Sequence, residues 1–207
     1  MNRDEAQARM QEVQRIMERT TLYTLLPRSS AIIGGVLTLA GCLVSYLMIG
    51  TANFQDALKL PINQQLVFCF MWLGIGIVAV VQHIILTRRA AEKRGLSPKA
   101  RPFRFATYSL TPSVFVAAVL TLEFLWRGQM TYIAPVWMMC YGSGVYAAGL
   151  FSVRLPRLLG ITFIVLGAVS LLFFPDFGII TAAVSFGLLH IIFGLIVINR
   201  SRENGEE

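Results

Sequence analysis

The chain is built from apolar runs of about 20 residues, the length that carries an α-helix across a hydrocarbon core of about 30 Å. Six such runs can be drawn, at 30–50, 66–87, 105–126, 131–152, 158–174 and 178–198 of the 207 residues. A run of that kind cannot leave its backbone polar groups unpaired in lipid, so helix is the form open to each. Composition agrees: 56% of residues are hydrophobic, 14% are charged, and the mean hydropathy is +0.65. These values lie outside the range of ordinary soluble domains. The expected fold is an all-α polytopic membrane bundle of six transmembrane helices in three hairpins. What remains is an N-terminal arm, residues 1–28, one basic loop, short turns and a polar tail, residues 200–207, so any chemistry must sit between helices or at their ends.

Orientation follows from the cations. Arg3, Arg9, Arg15, Arg19 and Arg28 precede the first run, and Arg88, Arg89, Lys93, Arg94, Lys99, Arg101 and Arg104 follow the second. Arg154 and Arg157 follow the fourth, and Arg200 and Arg202 the sixth. With six spans, sixteen of the eighteen fall on one side, leaving Lys59 and Arg127 on the other. The positive-inside rule makes the crowded side cytoplasmic, with both termini there. The net charge of +7 then reports topology and attraction to anionic lipid headgroups. The basic loop has neither the aromatic interleaving nor the fold signature of a nucleic-acid reader, so no nucleic-acid partner is expected. The mostly polar first 28 residues do not read as a cleavable signal peptide.

The arm presents Ala6, Met10, Val13 and Met17 at spacings of three and four, with Glu5 and Arg9, Glu12 and Arg15, and Arg15 and Glu18 placed to pair. It reads as an amphipathic helix lying in the cytoplasmic interface or docking a protein partner. The tripeptide Leu26, Pro27, Arg28 returns as Leu155, Pro156, Arg157, and His83, Ile84, Ile85 returns as His190, Ile191, Ile192. The echo suggests one hairpin unit used at both ends of the chain. Cys42, Cys69 and Cys140 all fall inside apolar runs and imply no disulfide framework.

Ionisable groups inside spans are costly, so each is a functional candidate. Glu123 stands four residues before Arg127, a spacing for an interfacial ion pair. His83 falls roughly 10 Å to the cytoplasmic side of the midplane, and His190 about 7 Å nearer the centre, on a helical rise of about 1.5 Å. Gly187 and Gly194 flank His190 on one face and are expected to clear space beside its imidazole. Two readings of His190 stay open: a packed histidine bonded to a neighbouring helix, or a proton relay, ligand contact or haem ligand. Haem between His83 and His190 is the minor alternative to a chain with no cofactor. Tyr141 and Tyr146 are the other ligand-binding candidates, in the small-residue run Tyr141 to Gly149, but they should point about 140° apart. Gly144 and Ala148 in that run have the spacing of close helix packing, which makes a homodimer one use of the face. Pro112 and Pro135 interrupt two spans. No phosphate loop, zinc spacing or nucleophile elbow is found, and no enzyme is expected.

The segments PVWMMCYG, RLPRLLGITFIVLGAVSLLF and FGLLHIIFGLIV, together with MERTTLYTLL running into AIIGGVL, resemble an uncharacterised family of bacterial six-helix membrane proteins. They are similar to that family's YG motif, its LG-x-x-x-x-x-LG helix and its closing FG-x-x-H-x-x-YG helix. The likeness covers both ends of the chain and is poor between about Asn53 and Pro112; Phe193 stands where the family pattern often has tyrosine. Members are often encoded beside a small winged-helix transcriptional regulator. The resemblance implies the bacterial inner membrane and a cytoplasmic regulatory partner, and it gives no biochemical activity. The last hairpin is also loosely similar to acid-resistance membrane proteins built of three hairpins. Three functions are carried forward: a membrane sensor or signalling protein, a small-solute transporter with its site near His190, and a haem or quinone redox protein.

Overall fold

The computed structural model describes residues 5, 9, 28–93, 101–150 and 154–203, all the regular structure among them being helical. The arm expected over residues 1–28 therefore lies, apart from Glu5, Arg9 and Arg28, outside the described residues, as do residues 94–100 of the basic loop. The helices are α1 (Arg28–Ile49), α2 (Ile62–Lys93), α3 (Arg101–Trp126), α4 (Ile133–Gly149), α5 (Arg154–Phe173), α6 (Gly178–Ala182) and α7 (His190–Glu203). Between α6 and α7 the chain winds as a π-helix, Ala183–Leu189. Five stretches are long and apolar enough to cross a membrane: Ser29–Ile49, Ile62–Ala90, Tyr108–Trp126, Arg154–Phe173 and Pro175–Asn199. The 17 residues of α4 reach about 25 Å at a rise of about 1.5 Å.

Helix ends are set by residues that cannot continue or pair inside a helix. Gly50 (φ 77°) and Gly128 (φ 65°) take the left-handed conformation that turns the chain after α1 and α3. Pro61 precedes α2, where its carbonyl accepts from the N–H groups of Gln64 and Gln65. Pro156 and Pro135 sit in the first turns of α5 and α4, where a missing N–H leaves no helical bond unmade. Pro112 lies inside α3, which continues through it.

Packing does not follow the hairpins. The most extensive helix pair is α4 with α5, followed by α3 with α4, while α1 packs on the π segment, α7 and α2. Small residues decide this. A Cβ on Gly160 would lie 2.6 Å from the backbone nitrogen of Tyr146 and 2.8 Å from the Gly142 carbonyl, so α4 and α5 touch backbone to backbone. Gly149 meets Arg157 and Gly167 meets Met138 and Met139, extending the seam along both helices. Gly144 faces the other way, against Leu110 and Ser113 of α3, so the glycines of α4 serve two neighbours. Indole and hydroxyl groups add one bond within each hairpin. Trp72 Nε1 donates to Ser45 Oγ at 3.0 Å, Trp137 Nε1 to Thr121 Oγ1 at 2.7 Å, and Ser170 Oγ to Thr181 Oγ1 at 3.3 Å.

At the end where α1, α3 and α5 finish, the three connections lock into a cap. Residues Phe54–Lys59 form a 3-10 turn whose Phe54, 6% exposed, packs edge-on against Phe68 and Trp72 and over Gly178. Asn53 Nδ2 donates to Asp176 at 2.8 Å, Gln55 Nε2 donates to the Gly128 carbonyl at 2.6 Å, and Thr131 Oγ1 donates to Asn53 Oδ1 at 3.2 Å. The Ile179 N–H donates to the Ala52 carbonyl at 2.9 Å. One connection thus ties down the other two. Asp56 binds Lys59 and Thr51, both at 2.6 Å, and the Lys59 bond followed by the Thr51 hydroxyl holds its carboxyl below the usual range. Glu123 pairs with Arg127 on the rim.

Candidate functional site

His190 opens α7 at the foot of the π segment. Its Nε2 lies 2.8 Å from the Tyr141 hydroxyl on α4. Around the pair stand Phe163 of α5, fully buried at 0% exposure, and Phe186 of the π segment. Every pair among the four rings is in contact, with centroids between 5.0 Å (Phe163 and Phe186) and 6.0 Å (Phe186 and His190). Most meet at steep angles, the edge-on arrangement aromatic quadrupoles favour, while Phe186 lies nearly parallel to the imidazole at 13°. Helices α4 and α5 and the π segment thus meet at one histidine.

A neutral imidazole donates through one nitrogen and accepts through the other. Nε2 of His190 shares its bond with the Tyr141 hydroxyl, which can serve as donor or acceptor, and Nδ1 is buried with no hydrogen-bond partner among the described residues. A π-helix displaces carbonyls from their usual i+4 donors, and such segments recur at functional positions.

Gly187, beside His190, does something other than expected. A Cβ on Gly187 would meet Leu39 at 2.5 Å, and one on Gly35 would meet the Gly187 carbonyl at 2.6 Å and Ile191 at 2.7 Å. The space at Gly187 is filled by α1, so it brings two helices together and opens no room beside the imidazole.

His83 belongs to a separate group. Its Nδ1 lies 3.0 Å from Ser30 Oγ, and Gln82 Nε2 donates to the Ser30 hydroxyl and carbonyl at 3.0 and 3.1 Å. Gln82 Oε1 is buried without a partner, and Thr87 Oγ1 donates to the His83 carbonyl at 2.7 Å. These residues join α2 to the start of α1.

Of the four candidates, then, Tyr141 and His190 are brought together, His83 is set apart, and Tyr146 is exposed, its backbone against Gly160. The two tyrosines diverge as their spacing requires. Phe163 and Phe186 were not singled out by sequence; their i−4 and cross-helix relation to His190 is the signal that could have found Phe186. A haem held by both histidines does not fit, because Nε2 of His190 is taken by Tyr141, its ring is packed by Phe163 and Phe186, and His83 is turned to α1. Among the described residues no cluster of His, Cys, Asp and Glu could hold a metal ion. The three cysteines are free thiols. Comparison with protein-family models, with curated proteins and with solved structures gives no match for this chain.

Proposed function

We propose that the chain is a non-enzymatic membrane sensor or signalling protein of the bacterial inner membrane, with the Tyr141 and His190 pair as its responsive element. The hydrogen bond between them, inside a ring of aromatic side chains at the end of a π segment, carries the reading. A bond of that kind joins two helices through one polar contact in an apolar setting, where losing it leaves two polar groups unpaired. A sealed cap at the opposite end holds one end of the bundle fixed, so a change at His190 is relayed toward the basic end.

Six spans, including α4, and cytoplasmic termini complete the reading. Packing of α4 between α3 and α5, both long enough to cross, supports its inclusion, and so does the charge asymmetry. Trp126, 90% exposed, with Phe173, Phe174 and Phe177 also exposed, forms an aromatic belt at the cap end, where a membrane surface would lie. On the other side the basic loop and the N-terminal arm meet anionic headgroups and a cytoplasmic regulatory protein, with a homodimer as a further association.

The test compares Tyr141→Phe and His190→Gln at native abundance with deletion of the chain, reading the transcriptional response of the cell to membrane-perturbing agents. Both variants should change the response as the deletion does, and tagged protein should retrieve a cytoplasmic partner. An unchanged response in the deletion strain together with no partner refutes the reading. The buried, unbonded Nδ1 of His190 favours a second reading, a small-solute transporter. Proteoliposome flux above that of empty liposomes, lost in His190→Gln, would establish it instead.

A further inference from the structure

The last span changes winding in mid-course, and what grips it differs above and below the change. Above, Gly178, Ile179 and Ala182 are buried, Phe54 rests on Gly178, and the Ile179 N–H is bonded to Ala52, so α6 is fastened to the cap. Below, His190 is bonded to Tyr141 and Ile191 packs on Gly35 of α1. The seven residues between, Ala183–Leu189, wind wider than an α-helix. A π segment amounts to one residue inserted into an α-helix, and the insertion lets both ends of the span keep partners whose registers do not match. If the segment relaxed to α-helix with α6 held, everything below would turn by about 100° and move by about 1.5 Å. His190 would leave Tyr141 and Ile191 would leave Gly35.

We infer that the last span is a two-register switch, latched in its π register by the Tyr141 and His190 bond and free to turn α7 when that bond opens. The moving part is α7, which runs to Glu203 at the end opposite the cap. This rests on the sensor reading and names its moving part. Val184, Leu188 and Ile192 are exposed on the outer side of the span, where lipid would meet them, and the turn would carry Val197, now buried on α7, to a new neighbour.

The test is a spin-label distance between Phe115→Cys on α3 and Ile192→Cys on α7, both exposed positions, in the full chain reconstituted in lipid with Cys42, Cys69 and Cys140 replaced. A turn of about 100° displaces an α-carbon by about 3–4 Å and a label by roughly twice that. The expected result is one distance in the parent chain and a second, resolved population in Tyr141→Phe, which keeps the ring and loses only the hydroxyl. Deleting Val184 removes the inserted residue and leaves both flanks in their present registers, so Tyr141→Phe in that background should show the parent distance alone. A Tyr141→Phe chain with only the parent distance overturns the inference, and so does a second population that survives the Val184 deletion. A switching distance in a chain whose loss leaves the cell's response unchanged keeps the register switch and removes the sensor reading. An altered response without a second distance does the reverse.

Discussion

Replacing Gly160 by alanine tests whether backbone contact between α4 and α5 organises the bundle. The added Cβ would stand 2.6 Å from the Tyr146 nitrogen and 2.8 Å from the Gly142 carbonyl, where ordinary contact begins near 3.4 Å. Neither neighbour is the end of a flexible side chain, so the helices must part by about 0.6–0.8 Å along that line, at a cost of about 1–3 kcal/mol for overpacking. Parting also moves Tyr141, next to Gly142, against His190. The control is Gly74→Ala on α2, where nothing lies within 4 Å of the new Cβ and the gain in helix preference is about 0.5–1 kcal/mol. Reversible unfolding in mixed micelles, followed by tryptophan fluorescence, should separate the two variants by at least about 1.5 kcal/mol, Gly160→Ala being the weaker. Equal stability would show that the seam yields freely and that the glycines are not what brings α4 and α5 together.

Phe54→Ala should destabilise the chain by about 3–5 kcal/mol and expose residues 50–61 to protease, since the ring is the cap's anchor on Phe68, Trp72 and Gly178. Hydrogen-exchange protection of the Phe54–Lys59 turn, relative to the intrinsic rate at each pH, should fall as pH drops below about 4, because a carboxylate held below its ordinary range stabilises the fold above the unfolded value and loses that contribution through its lower folded one. The effect is small and screened by salt, as Lys59 is exposed and Asp56 only half-buried, and Asp56→Asn should remove it. Visible absorption of purified protein, oxidised and after dithionite, should show no Soret band; a stoichiometric band lost in His190→Ala would overturn the geometric argument against haem.

The helical class was legible because apolar run length and lipid leave no other form. So were the Glu123 and Arg127 pair and the divergence of Tyr141 from Tyr146, both fixed by helical spacing. The cap was not. Asn53, Gln55, Thr131 and Asp176 are ordinary polar loop residues, and their bonds join positions up to 123 apart, a relation that carries no local pattern. The π segment was hidden for a similar reason: AVSFGLL reads as an ordinary apolar helix, and no residue within it marks a change of winding. Gly187 misled because its neighbour along the helix, His190, is visible in sequence, whereas Leu39, which fills its space, comes from α1.

The bond from Tyr141 to His190 carries both the sensor reading and the register switch. Nitrogen-15 spectra of labelled imidazole in lipid bilayers read it directly, since protonated and accepting ring nitrogens resonate far apart and respond to a hydroxyl donor. The expected result is a hydrogen-bonded His190 Nε2 whose resonance moves in Tyr141→Phe, with His83 unchanged. A His190 spectrum unaffected by loss of the tyrosine hydroxyl would contradict it.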